Sequence, residues 1–151
     1  MLAGLPRVLC MKNTELLDRP IPTDIDLHQY WLELMSPLGF ASRRLYFIFL
    51  DHERRAVRQL HEISDLPVNP DREFLDAFMA ILAHFAESFA FALLLVRPGS
   101  HPMDTHDRVW ARELLTASSR AGIQLETIHF ANSDYLAPFG GDDLVGDFPR
   151  E

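Results

Sequence analysis

Phe91-Ala92-Leu93-Leu94-Leu95-Val96-Arg97-Pro98-Gly99-Ser100 is an apolar run closed by a turn, and the residues after it repeat the logic in another period. Six apolar residues without a polar interruption predict a strand covered on both faces. Asp104-Thr105-His106-Asp107 then reads as a helix start, with Asp104 as the cap and Asp107 near the positive end of the helix dipole. Trp110, Leu114, Ala117 and Ala121 recur at helical spacing, and Gly122 supplies the stop. Residues 123–130, which include His129, return as a second strand.

Working upstream, Thr23-Asp24-Ile25-Asp26 has the hydroxyl-x-x-acid pattern of a helix start, followed by Leu27, Trp31, Leu34 and Leu38 at helical spacing. Pro37 and Gly39 end this helix. Leu45-Tyr46-Phe47-Ile48-Phe49-Leu50 predicts a central strand, residues 51–55 a polar connection, and residues 56–63 a partner strand. Asn69-Pro70-Asp71 opens the next helix, with Asn69 as the capping side chain and Pro70 in the first turn. Its apolar face is Phe74, Leu75, Phe78, Met79, Ile81, Leu82 and Phe85. Each of these, fully buried, stabilises by roughly 1.5–3 kcal/mol. Downstream, residues 135–139 add a short last strand. The order is helix, strand, strand, helix, strand, helix, strand, strand, which defines an α/β (α+β) chain with a mixed β-sheet and helices packed on it. Residues 1–22 read as an N-terminal arm or short edge strand, 23–139 as one domain, and 140–151 as a loose acidic tail.

Composition narrows the class of protein. The chain has 151 residues, 48% hydrophobic and 24% charged, as expected of one globular domain. No apolar run approaches the roughly 20 residues needed to span a bilayer, and the first residues lack the basic head and apolar stretch of a secretory signal. A single cysteine, Cys10, excludes an internal disulfide and a Cys-rich zinc site, and fits a cytoplasmic location. The formal net charge of −8 argues against nucleic acid as a partner. The clustered arginines, Arg43-Arg44 and Arg54-Arg55 with Arg58, read as a solvated sheet edge.

Residues 45–139 resemble the C-terminal domain of RadC proteins, of the JAB/MPN (JAMM) superfamily, whose topology is close to that of cytidine deaminases. The resemblance rests on the strand ending Phe49-Leu50-Asp51, on Asn69-Pro70-Asp71-Arg72-Glu73 opening the helix before the site strand, and on the spacing from Asp107 to Gly122-Ile123. His129 and Tyr135 also fall where the family's later strands carry a histidine and a tyrosine. The family's upstream helix-hairpin-helix region has no counterpart. In that family the site is His-x-His-Pro, then a serine, then an aspartate; the two histidines and the aspartate hold zinc, and a glutamate from an earlier segment takes a proton from the zinc-bound water.

Matched on Pro98, the two histidine positions hold Leu95 and Arg97, the serine position holds Asp104, and Arg43 or Arg44 falls near the glutamate. Of the four key groups only Asp107 remains, and Asp104 with Asp107 also makes an ordinary helix cap. Leucine has no ligating atom, and arginine has no lone pair to give. The resemblance therefore implies an inactive module that binds, scaffolds or regulates through a protein partner or self-association, with no cofactor. Its candidate pocket is Leu95, Arg97, His101, Asp104 and Asp107, where Arg97 pairs with Asp107 or Asp104. Aromatic residues near Phe139, and the N-terminal arm, are candidates for self-association.

The alternative is a divergent metal-dependent hydrolase with zinc held by His101, His106, Asp107 and His129, residue types that suit such an ion. A deaminase needs a Cys/His zinc set that one cysteine cannot supply. Among weaker signals, Ser118-Ser119 has no partner histidine at a readable spacing, and His61-Glu62 reads as an exposed pair on an edge strand. His84 reads as an interior or boundary residue of its helix. No glycine-rich phosphate loop is present.

Overall fold

The apolar runs at residues 45–50 and 91–96 become the two middle strands of a mixed sheet. The computed structural model describes residues 7–10, 20–57 and 59–145. In chain order the elements are β1 (Arg7–Cys10), α1 (Asp24–Met35), β2 (Arg44–Leu50), β3 (Gln59–Ile63) and α2 (Arg72–Ala83). There follow β4 (Ala90–Val96), α3 (Thr105–Ala121), β5 (His129–Ala131), β6 (Leu136–Pro138) and α4 (Gly141–Val145). The described strands pair in the order β1-β3-β2-β4-β5-β6. Only β4 and β5 run parallel, joined by the α3 crossover; the other pairs are antiparallel.

Strand alternation splits the apolar side chains into two cores. Leu45, Phe47, Phe49, Phe91, Leu93, Leu95 and Phe130 face α2 and α3. Tyr46, Ile48, Leu50, Ala92, Leu94 and Val96 face Leu27, Tyr30 and Trp31 of α1. A strand buried on both sides has no polar face to show, which is why residues 91–96 carry no polar residue. Ile21, ahead of α1, joins the second core, and its backbone is held by Arg54.

Helix starts follow the side-chain chemistry. Thr23 caps α1 by accepting from the Asp26 N–H, and Ser36 closes it by donating its hydroxyl to the Leu32 carbonyl. In α2 the cap is Asp71, two residues later than the expected Asn69: its carboxylate accepts from the Phe74 N–H at 2.7 Å. Pro70 thus precedes the helix rather than sitting in its first turn. Helix α2 ends at Ala83, so His84 is an exposed cap residue and Phe85 lies 42% exposed outside it.

Three further expectations change. Residues 123–130 do not form one strand. Phe91 exchanges backbone bonds with Gln124 and Glu126, but regular pairing covers only His129–Ala131. Strand β3 lies inside the sheet, between β1 and β2, so Glu62 is buried and pairs with Arg44 at 3.1 Å. His61 is half-buried against Phe47 and Phe49, and burial pushes its pKa down. Phe139 is 3% exposed and belongs to the core, so it offers no apolar surface for self-association. The N-terminal arm, residues 1–22, carries no aromatic residue, so the same role cannot fall to aromatics there. Among the described residues no helix is long and apolar enough to cross a membrane.

Candidate functional site: a buried arginine on Asp107

Period-two alternation puts Leu95 and Arg97 on the same side of β4, toward α3. Arg97 follows the last residue of the strand, and its N–H donates to the Ala131 carbonyl, which carries the sheet geometry one residue further. Its guanidinium meets the first turn of α3. Nε lies 3.0 and 3.2 Å from the two carboxylate oxygens of Asp107, and Nη2 lies 2.9 Å from Oδ2. Nη2 also reaches the carbonyls of His101 and Pro102 at 2.9 and 2.8 Å. The face of Phe130 lies under the cation, 5.0 Å from ring centroid to the guanidinium carbon.

Asp107 is 2% exposed and accepts from every side. Besides Arg97 it takes Arg43 Nη1 at 3.3 Å and the Asp104 N–H at 2.9 Å. Asp104 returns the bond by accepting from the Asp107 N–H at 3.1 Å, which completes a capping box at the start of α3. Burial pushes the Asp104 pKa up, but the hydrogen bonds from Asp107 and the nearby Arg97 charge outweigh it and leave the group lowered. The Asp107 hydrogen bond raises the Arg97 pKa against the opposing cost of burial. Two cations and two carboxylates thus balance in a small volume, joined by short charge-assisted bonds.

Neighbouring loops are fastened to the same point. Asn132, fully buried, donates to the His101 carbonyl at 2.8 Å and accepts from the N–H groups of Asp134 and Tyr135. The Tyr135 hydroxyl accepts from the Met103 N–H at 2.8 Å. Asn132 was not read as a site residue. Its signal in the sequence is the Asn-Ser-Asp turn after an apolar strand, where the side chain bonds its own backbone two residues on.

Arg43, not Arg44, reaches Asp107; Arg44 turns to the other face of the sheet, to Tyr46 and Glu62. Leu95 is packed in the core and Arg97 fills the space before Asp107. The residues expected to line a pocket therefore form a closed contact instead. His101 enters through its carbonyl alone, its ring exposed.

The alternative metal set does not assemble. His106 is exposed and its ring contacts Asn69 at 3.3 Å. His129 is buried beside His28 on the α1 side, because it sits one residue out of phase with Phe130, which faces Arg97. Among the described residues no three His, Cys, Asp or Glu side chains come together as a metal-holding group. Positions 95 and 97 likewise do not fit zinc, since one side chain has no donor atom and the other brings a fixed positive charge.

No family model matches the chain. No curated protein matches it either.

Proposed function

We propose that this chain is a RadC-like JAB/MPN-fold module that has given up metallohydrolase chemistry and works by binding a protein partner. The observation that carries the reading is the Arg97–Asp107 pair. A permanent cation stands against the one surviving family aspartate, where the resemblance expects a zinc ion held by imidazole. An Arg in that place supplies the positive charge that the carboxylate needs but offers no open coordination position and activates no water. The order of elements and the mixed sheet are compatible with the family's topology and support the reading without being specific to it.

The test is zinc titration of tag-free protein. Wild type is expected to bind no zinc that depends on Asp107, so Asp107→Ala changes nothing in the titration. Replacing Leu95→His and Arg97→His together is expected to create one new zinc equivalent, abolished by adding Asp107→Ala. Wild-type zinc lost on Asp107→Ala would sink the reading. So would a folded double variant, checked by circular dichroism, that takes up no additional zinc.

A further inference from the structure

On the opposite side of the sheet from Arg97, α1 and the start of β5 bring two histidines together. The rings of His28 and His129 have centroids 5.6 Å apart. His129 Nδ1 lies 3.1 Å from the Thr127 carbonyl. A carbonyl only accepts, so Nδ1 carries the proton and Nε2 keeps its lone pair. That Nε2 is sealed from solvent and has no hydrogen-bond partner among the described residues, and the same holds for Nδ1 of His28. A buried polar atom without a partner is unusual enough to call for a ligand.

We propose that His28 and His129 form a binding site for one divalent transition-metal ion of the zinc or copper kind. Three features of the site fit such an ion. A histidine that ligates metal through one nitrogen regularly donates its other N–H to a backbone carbonyl, as His129 does to Thr127. With metal–nitrogen bonds of about 2.0–2.1 Å, two imidazoles on one tetrahedral ion have centroids about 5 Å apart, close to the separation found. Burial holds the His129 pKa down at about 4, against the raising effect of the Thr127 hydrogen bond, so its ring is neutral and able to ligate at neutral pH.

Access and the rest of the coordination shell come from the adjoining cleft. It has a volume of about 550 Å³ and is lined by Asp24, His28, Thr127 and Phe139 among others. His28 lies between this space and His129, lining the one and packing near the other. No third ligating side chain joins the pair among the described residues, so water from the cleft completes the shell. Asp24 stands one helical turn before His28 and accepts from the Thr127 hydroxyl at 2.9 Å. Imidazole donors select zinc, copper or nickel over magnesium or calcium, which prefer oxygen.

The site is independent of the Arg97–Asp107 reading, and its test is separable from it. Zn²⁺ and Cu²⁺ are titrated singly into tag-free protein at neutral pH by calorimetry, with thermal unfolding as a second readout. One equivalent is expected to bind and to raise the unfolding temperature. Affinity is expected to fall at least roughly tenfold in His28→Ala, a half-exposed position whose variant keeps the fold, and in His129→Gln. His101→Ala, His106→Ala and Asp107→Ala are expected to leave this binding unchanged. Absence of stoichiometric binding would mean that water satisfies the two nitrogens and would overturn the proposal. Binding that survives in His28→Ala at wild-type affinity would overturn it equally.

Discussion

Arg97 is 7% exposed and Asp107 2%, so each charge depends on the other for what it loses in leaving water. Removing Asp107 leaves the buried guanidinium without a carboxylate, and removing Arg97 leaves Asp107 only the longer contact to Arg43 at 3.3 Å. Arg97→Met, or Asp107→Leu, is therefore expected to lower stability by about 3–5 kcal/mol in urea unfolding. The double variant with both changes is expected to recover part of that loss, because neither buried charge remains, although the Asp104 N–H, Arg43 and the carbonyls of His101 and Pro102 lose a partner. Additive losses in the cycle would show that the two side chains do not act as a pair. His129 makes a second prediction at this scale. Its folded pKa of about 4 lies below its ordinary 6.5, so the unfolded chain binds the proton first as pH falls. The stability linked to this group is complete above about pH 6.5 and is lost progressively toward pH 4, by about 3 kcal/mol in total. His129→Leu should flatten that segment of the stability–pH curve; an unchanged slope would assign it to other groups.

The elements are held at their ends by short polar side chains and by contacts between loops. Asp71 caps α2, Asp104 caps α3, and Gly122 closes α3 with φ of 71°, a left-handed backbone that glycine adopts without strain. Asp71→Ala is expected to cost about 1 kcal/mol in equilibrium unfolding, since the Phe74 N–H loses its acceptor near the surface. A loss under a few tenths of that would mean that water or Asn69 takes over the cap. Arg54 performs the corresponding task between elements. Its guanidinium grips Glu126 through two bonds of 3.0 and 2.9 Å and the Ile21 carbonyl through Nε. It thereby joins the β2–β3 connection, the segment before α1 and the approach to β5.

At the level of the whole molecule, one sheet separates two cores that share every central strand. Trp31 and Phe78 lie 0% and 1% exposed on opposite sides of it. Trp31→Ala and Phe78→Ala are each expected to cost about 3–5 kcal/mol. Because β2 and β4 contribute alternate residues to both cores, each change should shift one cooperative transition rather than split it. Two transitions in either variant, followed by far-ultraviolet and tryptophan signals, would show that the cores unfold separately.

What the sequence determined by itself is local chemistry in a strong pattern. The two apolar runs could only be buried strands, and the periodicity and glycine stop of residues 105–122 could only be a helix, because these signals reside within a few neighbouring residues. The capping role of Asp104 was legible for the same reason, whereas the pairing of Arg97 followed from the resemblance and left Asp107 and Asp104 open, between which the structure chose Asp107. Only the tertiary structure decided which strands lie inside the sheet. That choice buried Glu62, put His61 on two phenylalanines, and brought Arg43 rather than Arg44 to Asp107. It also carried His129 away from His101, His106 and Asp107 and set it against His28, about a hundred residues earlier in the chain. Sequence neighbours constrain a backbone, but the face on which a side chain emerges depends on pairing and register between distant segments, and a shift of one residue exchanges one side of the sheet for the other.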